Sequence, residues 1–155
     1  MSYPTLDAAP LIKRARADLG MTQKELASAS GVQQSNLSQI ESGARIPSAA
    51  MLDRVLKAAR LRPSIPLEIY APRVVEKAAE YGLSNVRVFG SVVDGTDNED
   101  SDVDLLVAPG VGFDLLQFAA FRQEIIDILG FDTDVIIDYP GDAFVEQIRE
   151  QAVAL

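Results

Sequence analysis

The chain of 155 residues contains neither cysteine nor histidine. Without cysteine there is no disulfide, no zinc–thiolate site and no thiol nucleophile. Without histidine, the commonest general base and metal ligand is also missing. Any catalysis by this chain must therefore depend on carboxylates, hydroxyls and bound metal ions.

Long apolar runs are also missing, although 48% of the residues are hydrophobic. No apolar stretch approaches the roughly 20 residues that a membrane-spanning helix needs. The first ten residues have neither the basic start nor the apolar stretch of a secretory signal. We therefore expect a cytoplasmic protein with no membrane contact.

The net charge of −9 is divided unequally along the chain. Residues 1–70 carry nine Lys/Arg and six Asp/Glu, or +3, whereas residues 71–155 carry five and seventeen, or −12. Such asymmetry indicates two domains with different partners. The first is compatible with nucleic acid, and the second with cations or a basic protein surface.

The first 62 residues show a series of short amphipathic helices. Periodicity predicts helices over 10–19 and 32–41, and Thr22 with Glu25 forms a capping box that opens a helix between them. The outward face of the helix over 32–41 carries only amides and hydroxyls: Gln33, Gln34, Ser35, Asn36, Ser38 and Gln39. Amide side chains match adenine edges in a DNA major groove.

The spacing of Met21-Thr-Gln-x-Glu-Leu-Ala, Ser30-Gly-Val, Leu37-Ser-Gln-Ile-Glu-x-Gly and Pro47-Ser resembles the Cro/repressor (XRE) class of helix-turn-helix domains. The resemblance implies a homodimer that binds operator DNA. It assigns phosphate contacts to Gln23 and Arg45 and base reading to Gln34, Ser35 and Gln39. We include Gln33 and Ser38, on the same face, in the predicted DNA surface. The alternative is a helical scaffold or dimerisation domain.

Three prolines fall within residues 61–72, which predicts an extended path rather than a helix. We take residues 63–72 as a linker and residues 73–155 as the second domain. The apolar residues of the 63–72 segment, including Ile65 and Leu67, favour packing of this segment against one domain or across a dimer. In the second domain, helices are predicted over 73–81, 114–129 and 142–153, and strands over 86–90, 103–107 and 132–138.

The first two of these strands form a predicted hairpin with an acidic pair at its mouth. Asp102 and Asp104 begin the second strand and share one face because strand side chains repeat every two residues. Gly90 and Ser91 end the first strand, where glycine lets a phosphate approach the backbone and the hydroxyl can donate. Carboxylates that hold metal beside a phosphate cradle suit phosphoryl or nucleotidyl transfer.

Two other interpretations of the acidic segment are a solvated loop and a calcium loop. Asp100-x-Asp102-x-Asp104 begins like an EF-hand. An EF-hand requires glycine at its sixth position, and Leu105 stands there instead.

The motif Gly90-Ser91, ten residues, Asp102-x-Asp104 resembles that of the minimal nucleotidyltransferases of the polymerase-β-like superfamily. The resemblance implies an α+β domain with a small mixed sheet, ATP as substrate, and two Mg²⁺ ions held by Asp102, Asp104 and a third aspartate, best matched by Asp134. Members usually carry basic residues after the Gly-Ser pair. This chain instead has Val92, Val93 and Asp94, which removes phosphate contacts.

Together, the two domains resemble the antitoxin of pairs whose toxin is a HEPN ribonuclease. The resemblance implies an enzyme that transfers AMP from ATP to a tyrosine of the toxin and represses its own operon. The alternative is an inactive antitoxin and repressor that neutralises its partner by binding alone. A third hypothesis is transfer of a nucleotide to a small molecule of the aminoglycoside type.

Overall fold

The computed structural model describes residues 3–155, which form a helical half followed by an α+β half. A 3₁₀ turn at Thr5–Asp7 leads into α1 (Ala8–Asp18), α2 (Gln23–Ser30), α3 (Gln34–Glu41) and α4 (Ala49–Ala58). Next come α5 (Ser64–Glu80), β1 (Ser84–Phe89), α6 (Ser91–Asp94) and β2 (Val103–Ala108). The chain continues through α7 (Leu115–Leu129), β3 (Thr133–Ile137), α8 (Ala143–Gln151) and β4 (Val153–Ala154).

Side-chain caps begin several helices at the positions that the sequence predicts. Thr22 accepts from the Glu25 N–H at 3.1 Å while Glu25 accepts from the Thr22 N–H at 2.7 Å, so the predicted capping box is confirmed. Asp114 caps α7, and Gly130 ends it with φ of +75°, a conformation that favours glycine. These local signals fix the helix ends independently of tertiary packing.

The sheet has the strand order β3-β2-β1-β4 and is mixed, which confirms the predicted fold class. β1 runs antiparallel to β2 and to β4, whereas β2 and β3 are parallel. The short strand β4 replaces the last turn of the helix predicted over 142–153.

The two faces of the sheet have different covers because side chains alternate along each strand. Val103, Leu105 and Val107 of β2 join the main core, to which α5 and α7 also contribute. Leu106 faces the opposite way and packs with Val145 and Ile148 of α8. Asp104 has the same parity as Leu106, so it lies on the α8 face of the sheet.

The predicted extended path over residues 63–72 is wrong, because this segment opens the 17-residue helix α5. Pro63 is its N-cap and Pro66 lies in its first turn, where the missing N–H has no helical partner anyway. Pro72 lies inside the helix on its exposed face. The carbonyl of Glu68 loses its helical partner there, because proline has no N–H. The predicted domain boundaries themselves stay predictions.

One continuous core links the two halves of the chain. Buried side chains of α1 to α4 belong to the same cluster as those of α5, α7 and the sheet. Tyr3 supports this junction directly, since its hydroxyl donates to the Leu129 carbonyl at 2.6 Å. In residues 3–155 no helix is long and apolar enough to cross a membrane.

Candidate functional site

The strand register brings two of the three predicted aspartates side by side. Asp104 of β2 pairs with Phe89 of β1 on one side and with Asp134 of β3 on the other. Asp102 precedes β2 and is exposed. All three side chains lie at one end of the α8 face of the sheet, while α8 packs on Leu106 farther along β2. Asp102 and Asp134 are exposed there, and Asp104 between them is half-buried.

Gly90 is required where β1 meets this carboxylate group. Its φ of +73° and ψ of −148° define a conformation that only glycine adopts readily. A Cβ at this position would collide with the Asp104 Oδ2 atom. The backbone therefore approaches the carboxylate more closely than any other residue would permit.

Helix α6 turns directly away from Gly90. The Gly90 carbonyl accepts from the N–H groups of Val93 and Asp94, both at 3.1 Å. The first N–H groups of a helix have no partner within it, so those of Ser91 and Val92 suit an anionic group. The next three residues, Val92, Val93 and Asp94, carry no positive charge. Val92 packs against the core, whereas Val93 and Asp94 are exposed. The predicted role of Gly90 and Ser91 in phosphate binding stays a prediction.

Electrostatic repulsion accompanies the convergence of the carboxylates. Burial, and then the neighbouring charges of Asp134 and Asp102, raise the pKa of Asp104 above its usual value. A divalent cation would relieve this repulsion, and carboxylate oxygens are the ligands that Mg²⁺ prefers.

Within residues 3–155 no group of three or more acidic side chains lies close enough together to hold a metal ion. Mg²⁺ in phosphoryl-transfer sites is usually held by one or two carboxylates together with substrate phosphates. Each of these carboxylates is a donor of the type that Mg²⁺ takes, and the predicted role of Asp102, Asp104 and Asp134 as metal ligands stays a prediction.

Arg122 of α7 is a neighbour of this group that the sequence did not predict. Its guanidinium lies 3.6 Å from Asp134 Oδ1, and both side chains are largely exposed. The pair is weak, since exposed ion pairs contribute little. It places a positive charge beside the site, although none follows the Gly-Ser pair.

Two adjoining clefts lie near Asp102, but Asp104, Asp134, Gly90 and Ser91 line neither of them. One of about 300 Å³ is lined by Asp102, Phe131 and Asp132 among others. A second of about 540 Å³ shares Phe131 with it and extends to Lys57 of α4. The larger cleft lies between the two halves of the chain, since residues of α4 and Phe131 both line it.

The predicted DNA surface on α3 is exposed as a single polar face. The side chains at the predicted positions all point to solvent: Gln33, Gln34, Ser35, Ser38 and Gln39. Leu37 and Ile40, on the opposite side, are fully buried. Arg45 is exposed and donates to Asn36 Oδ1 at 2.7 Å. Their contacts with DNA stay predictions.

Gln23 is tied to a buried charge beneath this surface. Its amide donates at 2.9 Å to Glu41 Oε2, which also accepts from Arg16. Burial would raise the pKa of Glu41, but hydrogen bonds from Arg16 and Gln23 outweigh it, so this pKa is lowered. The network fixes α1, α2 and α3 against one another. The predicted phosphate contact of Gln23 is compatible with it, because an amide has a second N–H.

Comparison with known proteins agrees with this geometry. Residues 12–64 match the family described as Helix-turn-helix, and residues 71–154 match the family described as Nucleotidyltransferase domain. A Methanocaldococcus jannaschii protein named "Putative protein adenylyltransferase" is 30% identical over 64 residues, which are 41% of this chain and 69% of that protein.

Two solved structures also resemble the chain. One, "Structure of putative minimal nucleotidyltransferase", has 36% identity and a TM-score of 0.53, covering 57% of this chain and 92% of its own. The other, "Crystal structure of the toxin-antitoxin with AMP-PNP", has 20% identity and a TM-score of 0.48, covering 54% of this chain and 69% of its own. The second likeness is too distant to carry an argument.

Both family resemblances inferred from the sequence are confirmed. The four-stranded mixed sheet, with Asp104 between Gly90 and Asp134, follows a helical region of the XRE helix-turn-helix type. The chain belongs to the nucleotidyltransferase domain family and carries a DNA-binding helix-turn-helix domain in front of that domain.

Proposed function

We propose that this chain transfers AMP from ATP to a tyrosine hydroxyl of a partner protein, and that the partner is a HEPN-like toxin. The observation that carries the proposal is the placement of Asp104 between Asp134 and the close backbone approach at Gly90. Two Mg²⁺ ions bound by Asp102, Asp104 and Asp134 would neutralise the triphosphate and lower the pKa of the acceptor hydroxyl. The name of the archaeal relative supports protein as the acceptor class.

In the proposed reaction the acceptor oxygen attacks the α-phosphorus of ATP, and the bond from that phosphorus to the bridging oxygen breaks. Pyrophosphate leaves, and the hydroxyl proton passes to a base. Ser91 and the turn at Gly90 hold the phosphates, and this positioning provides much of the rate. With no histidine in the chain, Asp134 is the residue that orients or deprotonates the acceptor.

A tyrosine acceptor fits this site better than serine or threonine does. The phenol has a pKa of about 10, so it ionises far more readily than an aliphatic hydroxyl. A tyrosine ring would pack against Phe131, which lines the cleft next to Asp102. A small acceptor of the aminoglycoside type has no comparable observation in its favour.

We further propose that α3 of a homodimer binds operator DNA, so that the antitoxin represses its own operon. The exposed amide face of α3 supports this part of the proposal. The charge of +3 on residues 1–70, against −12 on residues 71–155, directs DNA to the helical half.

A second function, neutralisation of the toxin by binding alone, is favoured by one observation. The residues after the Gly-Ser pair provide no cation for the triphosphate, since Val92 is half-buried and Asp94 is acidic. A domain with this feature would bind its partner without modifying it.

Intact-mass spectrometry of the partner after incubation with ATP and Mg²⁺ decides between the two functions. We expect the added mass of AMP with the wild-type chain, none with Asp104→Ala, and slower addition with Ser91→Ala. Asp127→Asn, an exposed carboxylate on α7 away from the site, is the matched control and should retain transfer. Full neutralisation by the Asp104→Ala variant, without added mass from the wild type, would establish binding alone.

A further inference from the structure

The loop of residues 95–102 connects α6 to β2 and carries Asp102 at its end. It has no regular secondary structure, and its internal hydrogen bonds are few. Ser101 Oγ accepts from the Asn98 N–H at 3.0 Å, and Asn98 Oδ1 accepts from the Asp100 N–H at 2.9 Å. Most of the loop is exposed, so its conformation depends on an anchor elsewhere in the protein.

Asp97 is that anchor, and it is buried at 7% exposure within a loop whose other residues are exposed or half-buried. Its carboxylate accepts from Arg62 Nη1 at 2.5 Å and from the Ser64 N–H at 2.9 Å. Ser64 is the first residue of α5, whose N-cap, Pro63, offers no side-chain cap. Asp97 therefore caps α5 from the other half of the chain, where the helix dipole favours a negative charge.

Arg62 joins this anchor to the helix-turn-helix. Its Nε and Nη2 donate to the two carboxylate oxygens of Asp18, at 2.7 and 2.8 Å, while Nη1 reaches Asp97. Asp18 is the last residue of α1. Only the planar fork of arginine can bond one carboxylate in bidentate fashion and still reach another. Lysine has a single point charge at the end of its chain.

A second contact between the halves, from Arg60 to Glu99, is weaker than that of Arg62 with Asp97. Arg60 Nε donates to Glu99 Oε1 at 2.7 Å, but the Arg60 side chain is 63% exposed. Exposed pairs of this kind contribute little to stability. Removing one partner of a buried pair is far more costly, because the other charge is left uncompensated. Arg62 therefore dominates the attachment of the loop.

We propose that Arg62 is a positioning residue for the transfer site. By holding Asp97 against α1 and α5, it fixes the loop that presents Asp102 beside Asp104. The helix-turn-helix half, through Asp18, is thus a structural part of the nucleotidyltransferase site as well as a DNA-binding domain. This inference rests on the proposed function, because the role assigned to Asp102 does.

The test compares Arg62→Lys and Asp18→Asn with Arg14→Gln in the full chain. Arg14 pairs with Glu68 across the same α1–α5 junction but does not touch the loop, so it is a matched control. Amide hydrogen exchange of residues 95–102 is measured without metal, and Mn²⁺ affinity is measured by titration. Exchange in α1 and α5 reports on the fold of each variant.

We expect Arg62→Lys to accelerate exchange in residues 95–102 selectively. It should weaken Mn²⁺ binding by about tenfold or more, as loss of a group that orients a metal ligand does. Asp18→Asn should act in the same direction but less, since the bond from Arg62 to Asp97 remains. Arg14→Gln should match the wild type in both measurements.

Two outcomes would overturn the inference while the proposed function stands. In the first, Arg62→Lys has the same loop exchange and the same Mn²⁺ affinity as Arg14→Gln. In the second, hydrogen exchange of Arg62→Lys rises equally throughout α1, α5 and the loop. A wild-type protein that binds no Mn²⁺ would overturn the proposed metal-dependent function itself, and with it any role of Arg62 in that site.

Discussion

Replacement of Gly90 by alanine tests the closest contact of the site, that between the β1 end and Asp104. Two effects oppose the substitution. The backbone at φ +73° and ψ −148° lies in a region that costs any other residue about 1–3 kcal/mol. The new Cβ would also collide with the Asp104 carboxylate, and overpacking of this kind costs about 1–3 kcal/mol more.

Added together, the two effects would cost about 2–6 kcal/mol. The expected cost lies in the lower part of this range, because the atom that the new Cβ meets is the end of a half-exposed side chain that can rotate away. We expect Gly90→Ala to lower the free energy of unfolding by about 2–4 kcal/mol. At about 2–4 °C per kcal/mol for a chain of this size, the melting temperature should fall by roughly 5–15 °C. Rotation of the carboxylate should also abolish stabilisation by Mg²⁺.

Urea unfolding of the metal-free protein, with Gly95→Ala as the control, measures this loss. Gly95 has a φ of +70° and nothing within 4 Å of a built Cβ, so its variant loses only the backbone part, about 1–2 kcal/mol. Repeating Gly90→Ala in an Asp104→Ala background removes the collision and should recover about 1 kcal/mol or more. An equal loss in both backgrounds would refute the contact between Gly90 and the carboxylate.

Three further predictions concern the DNA surface, the buried network and the acidic group. Gln34→Ala and Gln39→Ala should weaken operator binding by roughly 1–3 kcal/mol per lost bidentate contact, with less effect on binding to random DNA. Equal losses on operator and random DNA, measured by fluorescence anisotropy, would contradict the role of these glutamines in base reading. Glu41→Gln should cost up to about 3–5 kcal/mol at neutral pH. Because folding lowers the pKa of Glu41, the stability that its ionised carboxylate contributes is present above the ordinary pKa of 4.5 and is lost as pH falls through the folded pKa. If urea unfolding at about pH 3 shows the same difference between wild type and Glu41→Gln as at neutral pH, this explanation is wrong. Folding raises the pKa of Asp104, so ionisation of this carboxyl destabilises the fold progressively as pH rises above 3.8. Asp104→Asn should therefore raise the melting temperature of the metal-free protein at neutral pH. A gain of the same size in acid would contradict the raised pKa of Asp104.

The helix ends and the site motif could be predicted because they depend on neighbours in the chain. A capping box joins residues three apart, as at Thr22 and Glu25. The spacing from Gly90 to Asp104 likewise spans one hairpin, so the family resemblance and the strand order near the site follow from it.

The segment over residues 63–72 shows where such reasoning fails. Three prolines predict a break in the helix, yet Pro66 lies in the first turn of α5 and Pro72 faces solvent, where each is tolerated. The apolar side chains of this segment decided the outcome, since Ile65 and Leu67 are buried in the core that both halves share. Tertiary packing outweighed local preference.

By itself the sequence determined the two families, the caps, the amide face of α3 and the carboxylates at the start of β2, because each depends on periodicity or on short fixed spacings. Only the tertiary structure decided that Asp134 pairs with Asp104 and that Arg122 lies beside it. It also decided the fork of Arg62, whose partners lie 44 and 35 positions away in the chain. Contacts at such separations depend on how helices and strands pack, and no local pattern of residues encodes which charges meet.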